Sequence, residues 1–137
     1  MSAEANLLFV YGTLMTQAQS ELGADMRARL VSAGQWLGPA TVPGRLVALD
    51  GYPGLIAPVA IADVVHGEVF ELTDPEAVFK WLDDYEGMAS EPSPDDAYDR
   101  VLTTARLASG GDVRAWVYRY CADTAGAKLI PSGRWES

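Results

Sequence analysis

Glu86 is the residue whose type and position in this chain best suit acid–base chemistry. A helix beginning after Thr73 turns by about 100° per residue. That gathers Ala77, Val78, Phe79, Trp81, Leu82 and Tyr85 into one apolar arc and points Lys80, Asp83 and Asp84 away from it. On the same count Glu86 falls between the directions of Leu82 and Phe79, on the flank of the arc. It also lies in the last helical turn, before Gly87 as a C-terminal cap, where the helix dipole disfavours negative charge. Partial desolvation and the dipole both push a carboxyl pKa upward, and a carboxyl poised between its two forms near neutral pH serves as base and then as acid. Taken alone, a glutamate here reads first as a rim residue whose head reaches water past Tyr85. Asp83 and Asp84, of the same charge but facing solvent, are assigned to solubility.

The second stretch with chemical potential is Leu7 to Met15. The apolar, aromatic and branched run Leu7 to Tyr11 reads as a buried strand that breaks at Gly12. Glycine permits backbone angles that let the following amides turn inward and present N–H groups to an oxygen. A plain strand-ending turn explains the same residues.

The elements that must position these groups follow from the rest of the chain. Thr16 to Leu30 carries Leu22, Met26 and Leu30 at helical spacing, enough for one or two short turns. Trp36 to Leu49 reads as an irregular strand broken at its glycines and prolines, and Gly51-Tyr52-Pro53-Gly54 as a turn, at a pocket rim or on the plain surface. Val64 to Leu72 is apolar on both faces around Gly67, as a central strand is. Thr73-Asp74-Pro75-Glu76 starts the helix, with Thr73 as cap, Pro75 in the first turn and Glu76 at the capping-box position. Met88 to Ala97 is a polar loop, either a passive insertion or a cover for a pocket. Val101 to Leu107 and Val113 to Tyr120 form a hairpin turned by Gly110-Gly111, with Trp116, Tyr118 and Tyr120 on one face. The tail Gly126 to Ser137 shows no pattern.

Size and charge bound the function. With 137 residues, 49% of them hydrophobic, the chain fits a single domain spanning 1–137. No uncharged apolar run reaches the roughly 18 residues of a membrane helix and no leader pattern opens the chain, so a cytoplasmic protein without membrane contact is expected. One cysteine, Cys121, and one histidine, His66, exclude an internal disulfide and the usual transition-metal site. A net charge of −9 leaves little for counterion release, so nucleic acid is not an expected partner. A small anion remains compatible wherever backbone amides or one or two arginines concentrate locally.

Taken together, the chain resembles the gamma-glutamylcyclotransferase-like family, including its gamma-glutamylamine cyclotransferase and AIG2-like branch. The match rests on Phe9-Val10-Tyr11-Gly12-Thr13-Leu14-Met15, Tyr52-Pro53-Gly54-Leu55, Gly67-Glu68-Val69-Phe70-Glu71-Leu72, Leu82-Asp83-Asp84-Tyr85-Glu86-Gly87, Tyr98-Asp99-Arg100 and Ala115-Trp116-Val117-Tyr118-Arg119-Tyr120, in that order. The resemblance implies an α+β fold, a small mixed β-barrel flanked by helices, with its pocket at the barrel mouth. It implies cofactor-free, metal-free ring closure of a small γ-glutamyl amine or amide to 5-oxoproline with release of an amine. Glu86 is then the general base and acid, and Tyr11, Gly12, Thr13 and Leu14 hold the glutamyl group. Tyr118 walls the pocket, and Arg100 is a structural partner. The family often carries Ser-Gly-Asp-Trp near its C-terminus, whereas this chain has Ser132-Gly133-Arg134-Trp135, an exchange of acid for base that bears on the leaving amine. A binding or interaction module that keeps the pocket without turnover is the competing reading. A hydrolase built from Ser132 or Cys121 with His66 lacks the nucleophile turn it would need.

Overall fold

The computed structural model describes residues 6–11, 24–48, 53–85, 98–120 and 127–134, with the side chains of 24–27 and 83–85 outside that description. Its elements are β1 (Leu7–Val10), α1 (Ala24–Ala33), β2 (Gly34–Pro43), β3 (Arg45–Ala48), β4 (Pro53–Ile56), β5 (Val64–Leu72), α2 (Pro75–Tyr85), β6 (Tyr98–Leu107), β7 (Asp112–Tyr120) and β8 (Lys128–Ile130). β1, β5, β2, β6 and β7 close a barrel in that order, and β4, β3 and β8 form a separate sheet. β1 lies parallel to β7, with Leu8 beside Trp116, while the other barrel pairings are antiparallel. The expected small mixed barrel flanked by helices is the fold of this chain.

β5 shows why both of its faces are apolar. Val65 and Val69 point into the barrel beside Phe9, Ala40, Ala105 and Val117, while Phe70 and Leu72 point outward under the helices. Gly67 sits where β1 crosses: a Cβ there would lie 2.6 Å from the Phe9 ring and would run into the Val10 carbonyl. Only glycine lets the two backbones come this close.

The hairpin is β6 and β7, in register from Tyr98 opposite Tyr120 to Arg106 opposite Asp112. Gly110 and Gly111 turn it with φ of 108° and 91°. Trp116, Tyr118 and Tyr120 all join the outer cluster. The irregular stretch after Trp36 resolves into β2, which shifts register between Trp36 and Gly38, followed by β3.

Three expectations are corrected. The cap of α2 is Asp74, not Thr73: its carboxylate accepts the Ala77 N–H at 3.3 Å and its carbonyl the Val78 N–H at 3.1 Å. Pro75 then opens the helix and Glu76 falls one place short of the capping-box position, while the Thr73 N–H is spent on the Ala33 carbonyl. Ala77 is exposed, so the apolar arc of α2 is narrower than its composition suggests, with Val78, Phe79 and Leu82 buried and Lys80 outward as expected. Pro53 and Gly54 are not a turn but the buried start of β4. β4 pairs within its sheet only with β3, and proline is tolerated at the first position of such an edge strand. The Met88 to Ala97 loop and Cys121 lie outside the described residues.

Candidate active site

Of the residues expected to form the site, Tyr11 and Tyr118 are described, and Gly12, Thr13, Leu14 and Glu86 lie outside the described residues. The two elements that precede these positions in the chain pack on one apolar cluster. It joins Leu8 and Val10 of β1, Phe70 and Leu72 of β5, Val78, Phe79 and Leu82 of α2, Tyr98 of β6 and Tyr118 of β7. β1 ends one residue before Tyr11 and α2 ends one residue before Glu86.

Tyr11 fixes where the chain leaves β1. Its buried hydroxyl donates to the Tyr118 carbonyl at 2.7 Å and accepts the Leu55 N–H at 3.2 Å, so one phenol bolts β1 to β7 and to the second sheet. Tyr98 grips the same strand from the outer face, its hydroxyl donating to the Pro53 carbonyl at 2.9 Å. Pro53 and Leu55 are thus docked by two tyrosines, one from each side of the barrel wall.

Tyr118 is buried in the outer cluster on which α2 packs. Arg100 lies with its guanidinium 3.9 Å from the Phe79 ring centre and 4.8 Å from that of Trp116. It sits in the corner where these two rings meet edge to face and links α2 to the hairpin. Arg29 does the same for α1, 4.5 Å over Trp81 of α2.

One polar residue at the site escaped the sequence reading. Glu68, only 4% exposed, is the buried charged side chain among the described residues; it is opposite Val10 and shares the outward face of β5 with Phe70 and Leu72. It is engaged with a partner, as a charge buried this deeply must be. The available signal was its place in the alternation of β5, where an acid occupies a position on an apolar face.

At the other end of β5, burial and then repulsion by Arg134 hold the His66 imidazole below its ordinary pKa. The amides of Val59 and Ala60, at 2.8 and 2.9 Å, hold the Asp63 carboxyl below the usual carboxylate range. Among the described residues no three His, Cys, Asp or Glu side chains converge as a metal-ligand set, and no helix is long and apolar enough to cross a membrane.

A family model described as gamma-glutamyl cyclotransferase, AIG2-like, matches residues 8–137. The chain belongs to this family. Among solved structures, an AIG2-like protein of Mus musculus is 21% identical, with a TM-score of 0.64 over 96% of this chain and 95% of its own. The ytfP protein of Escherichia coli is 27% identical, with a TM-score of 0.62 over 94% of this chain and 95% of its own. YkqA of Bacillus subtilis is 23% identical with a TM-score of 0.66; the match covers 95% of this chain but 39% of that protein. A search of curated proteins finds no match. The gamma-glutamyl cyclotransferase, AIG2-like fold is therefore carried by this chain nearly end to end, and the family points to a small-molecule substrate.

Proposed function

We propose that this protein is a γ-glutamyl cyclotransferase acting on a γ-glutamyl amine or amide, with Glu86 as its general base and acid. The observation that supports the reading is that β1 and α2, which precede Tyr11-Gly12 and Glu86 in the chain, pack on one shared cluster that includes Tyr118. Family membership supports it from a second side.

The chemistry needs few groups. Glu86 as carboxylate takes a proton from the substrate α-ammonium, and the freed amine attacks the γ-carbonyl carbon of the same molecule to form the ring C–N bond. Glu86, now protonated, gives that proton to the original amide nitrogen as its bond to carbon breaks, and the extra proton on the ring nitrogen passes to the departing amine, leaving 5-oxoproline and an ammonium group. Attack within one molecule leaves the protein mainly to hold the substrate folded. Amides of the Gly12 to Leu14 turn are the groups suited to hold its carboxylate or the developing oxyanion. Tyr11, bonded to Tyr118 and Leu55, sets the position from which that turn departs.

The test is 5-oxoproline release from a panel of γ-glutamyl amides. Wild type is expected to turn over at least one of them, and Glu86→Gln to lose about 10²- to 10⁴-fold in kcat with KM little changed. Equal rates from both proteins would remove Glu86 from the mechanism, and binding without turnover by wild type would replace the enzyme with a ligand-binding module.

A further inference from the structure

Glu68 is a buried acid that the chemistry above does not use. It stands on the outward face of β5 with Phe70 and Leu72, and only 4% of it is exposed. Across the sheet it lies opposite Val10 of β1 on one side and Pro39 of β2 on the other, so neither register neighbour brings a polar side chain. An ionised carboxylate only accepts hydrogen bonds, and taking it out of water is costly unless good partners offset the loss. Glu68 is engaged in that way. Packing alone does not call for it, since an apolar side chain such as Phe70 or Leu72 would fill this face without that cost. A local rule broken in the middle of a strand marks a position kept for something other than the core.

What stands beside Glu68 is the end of β1. Val10, its register partner, is the last residue of that strand, and Tyr11 and Gly12 follow it in the chain. The crossing is tight at this point, because a Cβ on Gly67, the residue before Glu68, would run into the Val10 carbonyl. Backbones this close fix Glu68 relative to the place where the chain leaves β1. On the inner face, the Tyr11 hydroxyl ties that place to the Tyr118 carbonyl at 2.7 Å and to the Leu55 N–H at 3.2 Å. On the outer face, the polar group at the same level is the Glu68 carboxylate.

We propose that Glu68 is a positioning residue of the active site: its carboxylate holds the end of β1 from the outer face, opposite the Tyr11 hydroxyl on the inner one, and so sets where Gly12 departs. Its effect on turnover rests on the cyclotransferase reading, whereas its hold on β1 does not. Glu68 exchanges no proton with substrate, and the acid–base role stays with Glu86. A displacement of about 1 Å in the departing chain is enough to misplace groups that hold a substrate, at about 10²-fold in rate.

The test uses full-length Glu68→Gln and Glu68→Asp, with the dispersion of the amide spectrum verifying the fold. Hydrogen exchange of the Leu55 N–H reads the Tyr11 lock without any substrate. In Glu68→Gln that amide should exchange about tenfold faster than in wild type, while the Leu107 N–H, bonded to the Gly111 carbonyl in the hairpin turn, keeps its rate. With a γ-glutamyl amide as substrate, kcat should fall about 10- to 100-fold with KM within about threefold of wild type and the pH midpoint of kcat unmoved. Glu68→Asp keeps the charge one methylene shorter and should recover part of both losses; it carries the same measurements should Glu68→Gln fail to fold. Unchanged Leu55 exchange in a folded variant overturns the proposal. So does a wild-type kcat in the folded fraction, which would leave Glu68 a purely structural acid, and so does a moved pH midpoint, which would make it a proton carrier. If wild type turns over no amide while Leu55 exchange still quickens in Glu68→Gln, the cyclotransferase reading falls and the anchor on β1 stands.

Discussion

The barrel interior and the layer between barrel and α2 are both buried, yet they are made of different residues. Inside lie Val42, Val65, Val69, Val117, Ala40, Ala105 and Ala115 around Phe9, a set that can only pack. Outside lie Phe79, Tyr98, Tyr118, Trp81, Trp116 and Tyr120, with Arg100 against the Phe79 and Trp116 rings and Glu68 buried opposite Val10. Polar chemistry enters this molecule between the sheet and its helix, where aromatic rings bury area while their polar edges stay usable. The inner cluster packs the strands, with the Tyr11 hydroxyl as its hydrogen-bonding exception, and the outer layer holds the other polar side chains named here.

Substitution at Gly67 should break the interior most severely. Gly67→Val places a branched side chain against the Val10 carbonyl and the Phe9 ring, neither of which can move without opening the β1–β5 pairing. We expect a loss of about 3 kcal/mol or more in urea unfolding, at the upper end for overpacking. A loss under about 1 kcal/mol would show that β1 does not cross β5 as described. Tyr11→Phe tests the link between the layers. It leaves the buried Tyr118 carbonyl and Leu55 N–H without their shared partner, at a cost of about 1–3 kcal/mol, whereas Tyr98→Phe removes one bond to the Pro53 carbonyl and should cost less. Equal losses would mean that β4 is held from both sides alike.

The parts of the fold that were legible in the sequence were those whose signal is local. The double-sided apolar run of β5, the glycine turn of the hairpin and the alternation of Trp116, Tyr118 and Tyr120 each follow from a few consecutive residues. β4 and β8 were not legible, because Pro53-Gly54 has the composition of a turn and becomes strand only through pairing with β3 and the hydroxyls of Tyr11 and Tyr98, far away in sequence. The same holds for function. The helix count led to Glu86, whose own surroundings lie outside the described residues, while the alternation of β5 marks Glu68 only as an acid on an apolar face and its burial depends on what covers that face. A groove lined by Arg45, Asp63, His66 and Pro131 to Gly133 is assembled from separate stretches of chain, and no local pattern in the sequence reports it.

Two smaller effects sharpen the contrast at the edges of the layers. Asp74→Ala should cost about 1 kcal/mol by removing the cap of α2, with Thr73→Ala within about 0.5 kcal/mol of wild type. If Thr73→Ala proved the costlier, the helix would start one residue earlier than Pro75.

The smallest effect is a slope in pH at His66, which stands on the outward face of β5 but beyond the cover of the helices. Its imidazole titrates below the ordinary value near 6.5 in the folded chain, so between the two values the unfolded chain binds more protons. Stability from this group is therefore complete above about pH 6.5 and falls as the pH drops through that value toward the folded pKa. The half-exposed ring keeps the effect modest, and Asp63, also held low, adds its own loss only at far more acidic pH. Midpoints of urea unfolding between pH 7.5 and 5.5 should decline in wild type and decline less in His66→Gln. Because Arg134 is the second cause of the depression, Arg134→Gln should shrink the same slope. A slope that survives His66→Gln unchanged would assign it to a group elsewhere in the chain.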